Sequence, residues 1–229
     1  MLNQKIRQTI QMFREGLPPD LAALIEQGAG EISAFDIVER ALRTGDKIPD
    51  FTLKTQSGEE KRLLDYLADG PLVLTFYRGI WCPYCNLQLK EYDDRLKEIR
   101  SAGATLVAVT PEKPNAFDIL AKSDAPRDVV DMAVKSVGFD VLHDANSSVA
   151  KAFGLVFELP ESHRNLLAQL QVDIEALNGD SSFTFPDPAT YVIDKSGKIA
   201  WAFVPNNYRK RAEVDDILGA VQALNSATQ

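Results

Sequence analysis

Both cysteines of the chain lie in one short segment, Trp81-Cys82-Pro83-Tyr84-Cys85, and this segment has a distinctive sequence context. The preceding residues 72–77 are almost all apolar, which is typical of a strand covered on both faces by helices. After the segment, apolar residues recur at helical spacing, and the series comprises Cys85, Leu89, Tyr92, Leu96 and Ile99. The cysteine pair is therefore predicted at the junction between a buried strand and a helix.

The rest of the chain extends this alternation of strands and helices. Residues 105–110 form a second apolar run, a short strand is expected near residues 137–139, and a helix is expected at about 146–153. Two β-rich runs, 190–194 and 198–204, flank a glycine-containing turn and predict a hairpin before a last amphipathic helix. The pattern predicts an α/β fold in which helices flank a mixed central sheet.

The two ends of this pattern suggest how the chain is divided. Residues 1–44 contain three amphipathic helical pieces and predict a helical extension that packs against the main domain or a subunit partner. Residues 45–229 then form the main domain. Within it, residues 155–187 are expected to be an insertion that carries one helical stripe.

Composition narrows the possible partners and the compartment. The net charge of −8 disfavours general nucleic-acid binding, because an acidic chain repels phosphate backbones. No apolar stretch approaches the ~18–20 residues that span a bilayer, and residues 1–7 lack the apolar core of a signal peptide. Two cysteines are too few for a disulfide scaffold. We therefore expect a cytoplasmic protein without a membrane or nucleic-acid partner.

The cysteine pair is interpreted as a redox centre. Cys82 falls near the helix N-terminus, where unpaired amides and the helix dipole favour a thiolate and lower the thiol pKa. Pro83 suits the first helical turn, where its missing N–H costs nothing. Cys85 lies one turn into the helix on the apolar stripe, so we expect it to be more buried, with a more normal pKa. These differences predict that Cys82 attacks the substrate and that Cys85 then closes a disulfide.

Other interpretations of the pair are weaker but remain open. A structural zinc site needs four ligands, whereas the chain has no second cysteine pair and its two histidines, His143 and His163, are distant in sequence. Both histidines are expected in loops or at the surface. A third interpretation is a pair of buried structural thiols. No Gly-rich phosphate loop follows a strand, and no metal, haem, flavin or nucleotide cofactor is predicted.

Three residues beside the pair have two interpretations each. Arg78, four residues before Cys82, either stabilises the thiolate by its charge or points to solvent or to Glu91. Trp81 and Tyr84 either form an apolar rim for an organic hydroperoxide or a protein disulfide, or pack as ordinary loop residues.

Residues 77–89 resemble the signature of peroxiredoxin-like proteins of the alkyl hydroperoxide reductase C / thiol-specific antioxidant family. Four further stretches resemble the same family, at residues 45–51, 106–111, 144–154 and 188–194. The resemblance covers about residues 45–222. It implies a thioredoxin-like fold, a peroxidatic cysteine at Cys82, and a thioredoxin or similar dithiol as reductant.

The sequence departs from the family pattern at three positions. Members of the family carry the motif Pro-x-x-x-Thr-x-x-Cys. This chain has Thr75 in place of the motif's proline and Gly79 in place of its threonine, and it has Pro188 where the family has an arginine later in the sequence. In the family, that threonine and arginine help to polarise the peroxide O–O bond. Pro188 instead matches the cis-proline of thioredoxin-type reductases, or is an ordinary proline at a strand entry.

These observations lead to three functional hypotheses. The first is an antioxidant peroxidase that reduces a hydroperoxide at Cys82, with Cys85 as the resolving thiol within the chain. The second is a thiol–disulfide reductase of protein substrates, which the missing threonine and arginine favour. The third is a non-enzymatic redox sensor whose helical extension docks a partner. A homodimer is compatible with each of them.

Overall fold

A mixed sheet of seven strands forms the centre of the molecule in a computed structural model that describes residues 1–227. The strands are, in chain order, β1 (Thr52–Thr55), β2 (Glu60–Arg62), β3 (Leu72–Phe76), β4 (Thr105–Thr110), β5 (Asp140–His143), β6 (Val156–Glu158), β7 (Thr184–Pro186), β8 (Thr190–Ile193) and β9 (Ile199–Phe203). The sheet order is β2-β1-β5-β4-β3-β8-β9, and β6 pairs separately with β7. Strands β3, β4 and β5 are parallel to one another, whereas the remaining pairs are antiparallel.

Helices cover both faces of this sheet, which is the thioredoxin-like arrangement expected from the sequence. They are α1 (Leu2–Gly16), α2 (Pro19–Ser33), α3 (Ile37–Arg40), α4 (Leu63–Asp69), α5 (Pro83–Asp94), α6 (Leu96–Ser101), α7 (Ala116–Ala121), α8 (Arg127–Met132), α9 (Ser148–Ala152), α10 (Glu161–Gln169), α11 (Ile174–Asn178) and α12 (Val214–Ala227). None of the helices in residues 1–227 combines the length and the hydropathy of a membrane-spanning helix.

Strand β3 positions the cysteine segment. All five of its residues are buried, and it lies between β4, to which it is parallel, and β8, to which it is antiparallel. The loop after β3 leads directly into α5, so the cysteine segment emerges at the carboxyl end of a central parallel strand. In open α/β sheets this edge is where ligands commonly bind.

Three details of the predicted secondary structure are wrong. The single helical stripe expected within residues 155–187 is divided between α10 and α11, because Gln171 between them has a positive φ of 51°. The stripe over residues 85–99 is divided between α5 and α6, because Arg95 has non-helical backbone angles (φ −105°, ψ 12°). The strand expected near 137–139 lies further along, as β5. Gly138 instead has side-chain partners, since its N–H donates to Asp93 and its carbonyl accepts from Arg100.

The N-terminal helices and the 155–187 segment contact each other. Leu2 and Ile6 of α1 are buried in the core, and Gly28 of α2 faces the ring of His163 on α10. A Cβ atom at Gly28 would lie 2.6 Å from the His163 Nδ1 atom, so α2 and α10 approach more closely than a larger residue allows. The proposed division of the chain at residue 44 stays a prediction.

Candidate active site

The two cysteines lie at the first turn of α5. Cys82 is the N-cap residue and Pro83 is the first helical residue. The Cys82 carbonyl accepts hydrogen bonds from the backbone N–H groups of Cys85 and Asn86, each at 3.1 Å. Both cysteines are free thiols. The helix therefore begins at the reactive segment, and Cys85 lies one turn inside it.

Both cysteine side chains are fully buried, with 0% of each exposed. The expectation that Cys85 is the more buried of the two is therefore wrong. The Arg78 guanidinium lies against the Cys82 sulfur and covers it. Its central carbon is 4.9 Å from the centre of the Trp81 ring and 4.0 Å from that of Tyr208, so two aromatic rings hold the cation in place.

Arg78 bonds directly to the first sulfur. Its Nη2 atom donates to Cys82 Sγ at 3.1 Å, and only 2% of the residue is exposed. The alternatives of a solvent-facing side chain or a pair with Glu91 are wrong, because Glu91 pairs with Lys5 at 2.6 Å. The Nε and Nη1 atoms of Arg78 have no hydrogen-bond partner in the described part of the chain. The Arg78 guanidinium therefore has unpaired N–H donors close to the reactive sulfur.

A second buried arginine bonds to the other sulfur. Arg211 donates from Nη2 to Cys85 Sγ at 3.1 Å and from Nε to Gln88, which in turn donates to Thr75 Oγ1 at 2.6 Å. It also donates to the carbonyl of Tyr208 at 2.7 Å. Sequence reasoning missed Arg211, because it is 126 residues from Cys85 and belongs to no motif.

The two thiols have opposite pKa shifts. Burial raises the pKa of the Cys82 thiol, but a hydrogen bond from Cys85 and the charges of Arg78 and Arg211 outweigh it, so the pKa lies well below its usual range. Burial raises the pKa of the Cys85 thiol well above its usual range, and donating to Cys82 raises it further. At neutral pH this arrangement favours a Cys82 thiolate beside a protonated Cys85.

Glu112 fixes the loop before the cysteines. Both of its carboxyl oxygens accept from the Ile80 backbone N–H, at 3.0 and 2.9 Å. Burial raises the Glu112 pKa to about 8, opposed by the Ile80 hydrogen bond and assisted by the charge of Cys82. A Cβ atom at Gly79 would lie 2.3 Å from Trp81 Nε1 and 2.6 Å from Glu112 Oε1. The loop therefore has no room for the threonine that the family pattern places at residue 79.

The structure places two residues at which the sequence departs from the family pattern, Thr75 and Pro188. Thr75, at the family's proline position, is buried in β3, where its hydroxyl is 2.8 Å from that of Thr190. The match of Pro188 to a cis-proline is wrong, because residues 1–227 contain no cis peptide bond. Pro188 instead lies in a tight turn into β8, in which the Ala189 N–H donates to the Asp187 carbonyl at 2.7 Å. The fixed φ of proline suits such a three-residue turn.

Neither histidine lies in a surface loop, contrary to expectation. His163 is buried on α10, with Nε2 3.2 Å from the Tyr208 hydroxyl. Burial, together with the charges of Arg78 and Arg209, lowers its pKa to about 3, so it is neutral at physiological pH. His143 belongs to β5, and its Nδ1 atom is 2.6 Å from the Glu112 carbonyl.

A cavity of about 300 Å³ adjoins the cysteine segment. Arg78, Trp81, Pro83 and Tyr84 line it together with side chains from α1, α2, α8 and α10. Trp81 and Tyr84 thus border an apolar space, and both also pack against aromatic neighbours. No group of three or more His, Cys, Asp or Glu side chains within residues 1–227 is placed to hold a metal ion.

Comparison with known proteins places this geometry in a family. The model of the AhpC/TSA family matches residues 44–202. A Mycobacterium tuberculosis protein named as a peroxiredoxin is 27% identical over 185 residues, which are 81% of this chain and 99% of that protein. Peroxiredoxin Bcp of Escherichia coli K12 is 27% identical over 114 residues, which are 50% of this chain and 65% of that protein.

Solved structures give the same result. The crystal structure of peroxidoxin BcpB from Mycobacterium tuberculosis is similar with a TM-score of 0.55 and 26% identity, over 80% of this chain and 98% of that one. The reduced 2-Cys peroxiredoxin of Plasmodium vivax has a TM-score of 0.59 at 17% identity, over 81% of this chain and 83% of that one, and supports the fold alone.

Proposed function

This chain belongs to the AhpC/TSA family, and from that premise we propose that it is a thiol-dependent peroxidase in which Cys82 reduces the hydroperoxide and Cys85 is the resolving thiol. The observation that carries the proposal is the 3.1 Å bond between Arg78 Nη2 and the buried Cys82 sulfur. This bond gives the sulfur a fixed positive neighbour in a site shielded from water. A thiolate, rather than a thiol, is the nucleophile that attacks a peroxide.

The first step oxidises Cys82. The thiolate sulfur attacks the terminal oxygen of the hydroperoxide, an S–O bond forms and the O–O bond breaks. The sulfur loses two electrons and becomes a sulfenic acid, and the leaving alkoxide or hydroxide takes up a proton to give an alcohol or water. The free N–H donors of Arg78 can stabilise the negative charge that develops on the peroxide oxygens.

The second step uses Cys85. Its sulfur displaces the hydroxyl of the sulfenic acid, which leaves as water, and a Cys82–Cys85 disulfide forms. Burial raises the Cys85 pKa, so this thiol keeps its proton until the first step has removed the negative charge on Cys82. Arg211, at 3.1 Å, then favours the Cys85 thiolate by its charge. A dithiol of the thioredoxin type reduces the disulfide and completes the cycle.

Arg78 is proposed to replace the groups that the family pattern supplies elsewhere. Gly79 and Pro188 stand where the pattern has its threonine and arginine, and neither side chain can donate a hydrogen bond. Arg78 brings a positive charge and unpartnered donors to the same sulfur from the loop itself. The peroxide-activating role is therefore retained by a residue four positions before Cys82.

A cytosolic location and a homodimer remain proposals. Two free thiols in a redox pair are compatible with a reducing compartment.

The alternative function, a thiol–disulfide reductase, loses the support of a cis-proline at residue 188, because that peptide bond is trans.

Rapid mixing of the reduced protein with hydrogen peroxide tests the proposed function. We expect Cys82 to be oxidised far faster than a free cysteine, followed by one Cys82–Cys85 disulfide identified by peptide mass spectrometry. The protein should then be recycled by thioredoxin and thioredoxin reductase. Oxidation at the rate of a free thiol, combined with efficient reduction of insulin disulfides, would instead support the reductase.

A further inference from the structure

The cavity beside the cysteine segment has an apolar wall built by the N-terminal helices and by α10. Leu17 lines it from the loop between α1 and α2, Leu21 and Ile25 line it from α2, and Leu166 lines it from α10. The first three of these side chains are only half-buried, so they expose hydrocarbon surface to the cavity. Exposed apolar surface is unfavourable in water, and an apolar pocket with few polar groups is typical of a ligand site.

The polar side chains that line the cavity differ in burial: Arg78 and His163 are buried, whereas Asp128 is exposed. Arg78 is 2% exposed, and its Nε and Nη1 atoms lack partners within residues 1–227. The neighbouring His163 also has an unpartnered Nδ1 atom and is neutral. This arrangement fits a ligand with one polar end at Arg78 and an uncharged hydrocarbon part. An anionic group on the hydrocarbon part would be repelled by the carboxylate of Asp128.

The cavity and the reactive sulfur share one neighbour, the side chain of Arg78. Arg78 lines the cavity through the same guanidinium whose Nη2 atom bonds Cys82 Sγ at 3.1 Å. A hydroperoxide group that accepts hydrogen bonds from the free Arg78 donors is therefore held next to the sulfur that attacks it. The apolar side chains that line the same cavity can then contact the hydrocarbon part of such a molecule.

We propose that this cavity, the tail pocket, binds the hydrocarbon part of an uncharged aryl or alkyl hydroperoxide, so that α1, α2 and α10 determine substrate specificity. The inference rests on the proposed peroxidase function and deepens it. Both N-terminal helices lie outside residues 44–202, the region that the family model matches. The part of the tail pocket that α1 and α2 line therefore lies outside the matched region.

The test compares two hydroperoxides in pocket-filling variants. Leu21→Trp and Met132→Trp fill the tail pocket from α2 and from α8, and Leu64→Trp is the matched control because Leu64 is 54% exposed and lies outside the pocket. The rate constant for Cys82 oxidation is measured with cumene hydroperoxide and with hydrogen peroxide, which has no hydrocarbon part. We expect each pocket variant to reduce the cumene-to-hydrogen peroxide ratio by about tenfold or more, and the control to leave it unchanged.

A binding measurement separates this inference from the proposed function. Titration calorimetry of 2-phenylpropan-2-ol, the alcohol product, into reduced protein should show binding in the wild type and in Leu64→Trp, and its loss in the two pocket variants. An unchanged rate ratio in both folded pocket variants, or equal binding of the alcohol by all four proteins, would overturn the tail pocket. If neither peroxide oxidises Cys82 of the wild type but the alcohol still binds, the proposed peroxidase function is overturned and the tail pocket remains as an apolar ligand site.

Discussion

Replacing Arg78 with methionine is expected to slow the oxidation of Cys82 by hydrogen peroxide by about 100-fold or more at pH 7. The change removes the Nη2 donor at 3.1 Å and the nearest positive charge. The Cys82 pKa should rise, because only the Cys85 hydrogen bond and the Arg211 charge then oppose the effect of burial, and the thiolate fraction should fall. Methionine retains a long apolar side chain between Trp81 and Tyr208. The measurement is the second-order rate constant from rapid mixing.

Two further variants show whether the charge or the geometry of Arg78 matters. Arg78→Lys keeps the charge but loses the planar donor array, so we expect a smaller loss of rate than in Arg78→Met. Arg14→Met is the matched control, because Arg14 lies on the surface and pairs with Glu26. Thermal unfolding of each variant verifies that it is folded. A folded Arg78→Met protein whose rate stays within threefold of the wild type would contradict the proposed role.

Replacing Cys85 with serine is expected to separate the first oxidation from turnover. The Cys82 thiolate and its bond to Arg78 remain, and the serine hydroxyl can still donate a hydrogen bond to the Cys82 sulfur. The first oxidation should therefore stay within about tenfold of the wild-type rate. Steady-state turnover with thioredoxin should fall at least 100-fold, because no intrachain disulfide forms.

The matched variant Cys82→Ser should lose both steps. In Cys85→Ser, a sulfenic acid should accumulate at Cys82 and react with dimedone, and peptide mass spectrometry gives its position. Full turnover of Cys85→Ser with thioredoxin would show that another thiol resolves the sulfenic acid. Rapid oxidation of Cys85 in Cys82→Ser would reverse the assigned roles.

The local arrangement of the site was predictable because it depends on short-range patterns. An apolar run followed by a helical stripe determines where β3 ends and where α5 begins, and Cys82 is consequently the N-cap. Arg78 is only four residues away, so its contact with Cys82 was one of two interpretations, the other being a side chain that points to solvent or to Glu91. What a local pattern does not contain is the direction of the Arg78 side chain, which the Tyr208 ring determines from a distant segment.

Long-range contacts were not predictable from a single sequence. Arg211 reaches Cys85 from a loop 126 residues later, and a lone arginine has no periodicity that distinguishes it from a surface residue. The complete burial of Cys82 was also missed, because a local sequence pattern does not show how the rest of the fold packs around a residue. Likewise, the amphipathic pattern of α1 and α2 indicated helices with an apolar face but did not show that this face borders a cavity beside the active site.

The mechanism depends on Cys82 having a lower pKa than Cys85, so that at neutral pH Cys82 is a thiolate and Cys85 is a thiol. The most direct measurement is the rate of iodoacetamide alkylation of each cysteine between pH 4 and pH 11, with the two sites separated by peptide mass spectrometry. Because the Cys82 pKa is lowered and the Cys85 pKa is raised, the Cys82 rate should reach its plateau with a midpoint below about 8.5, the free-cysteine value, and Cys85 should titrate above it. A Cys82 midpoint at or above 8.5, or a Cys85 midpoint below that of Cys82, would contradict the account.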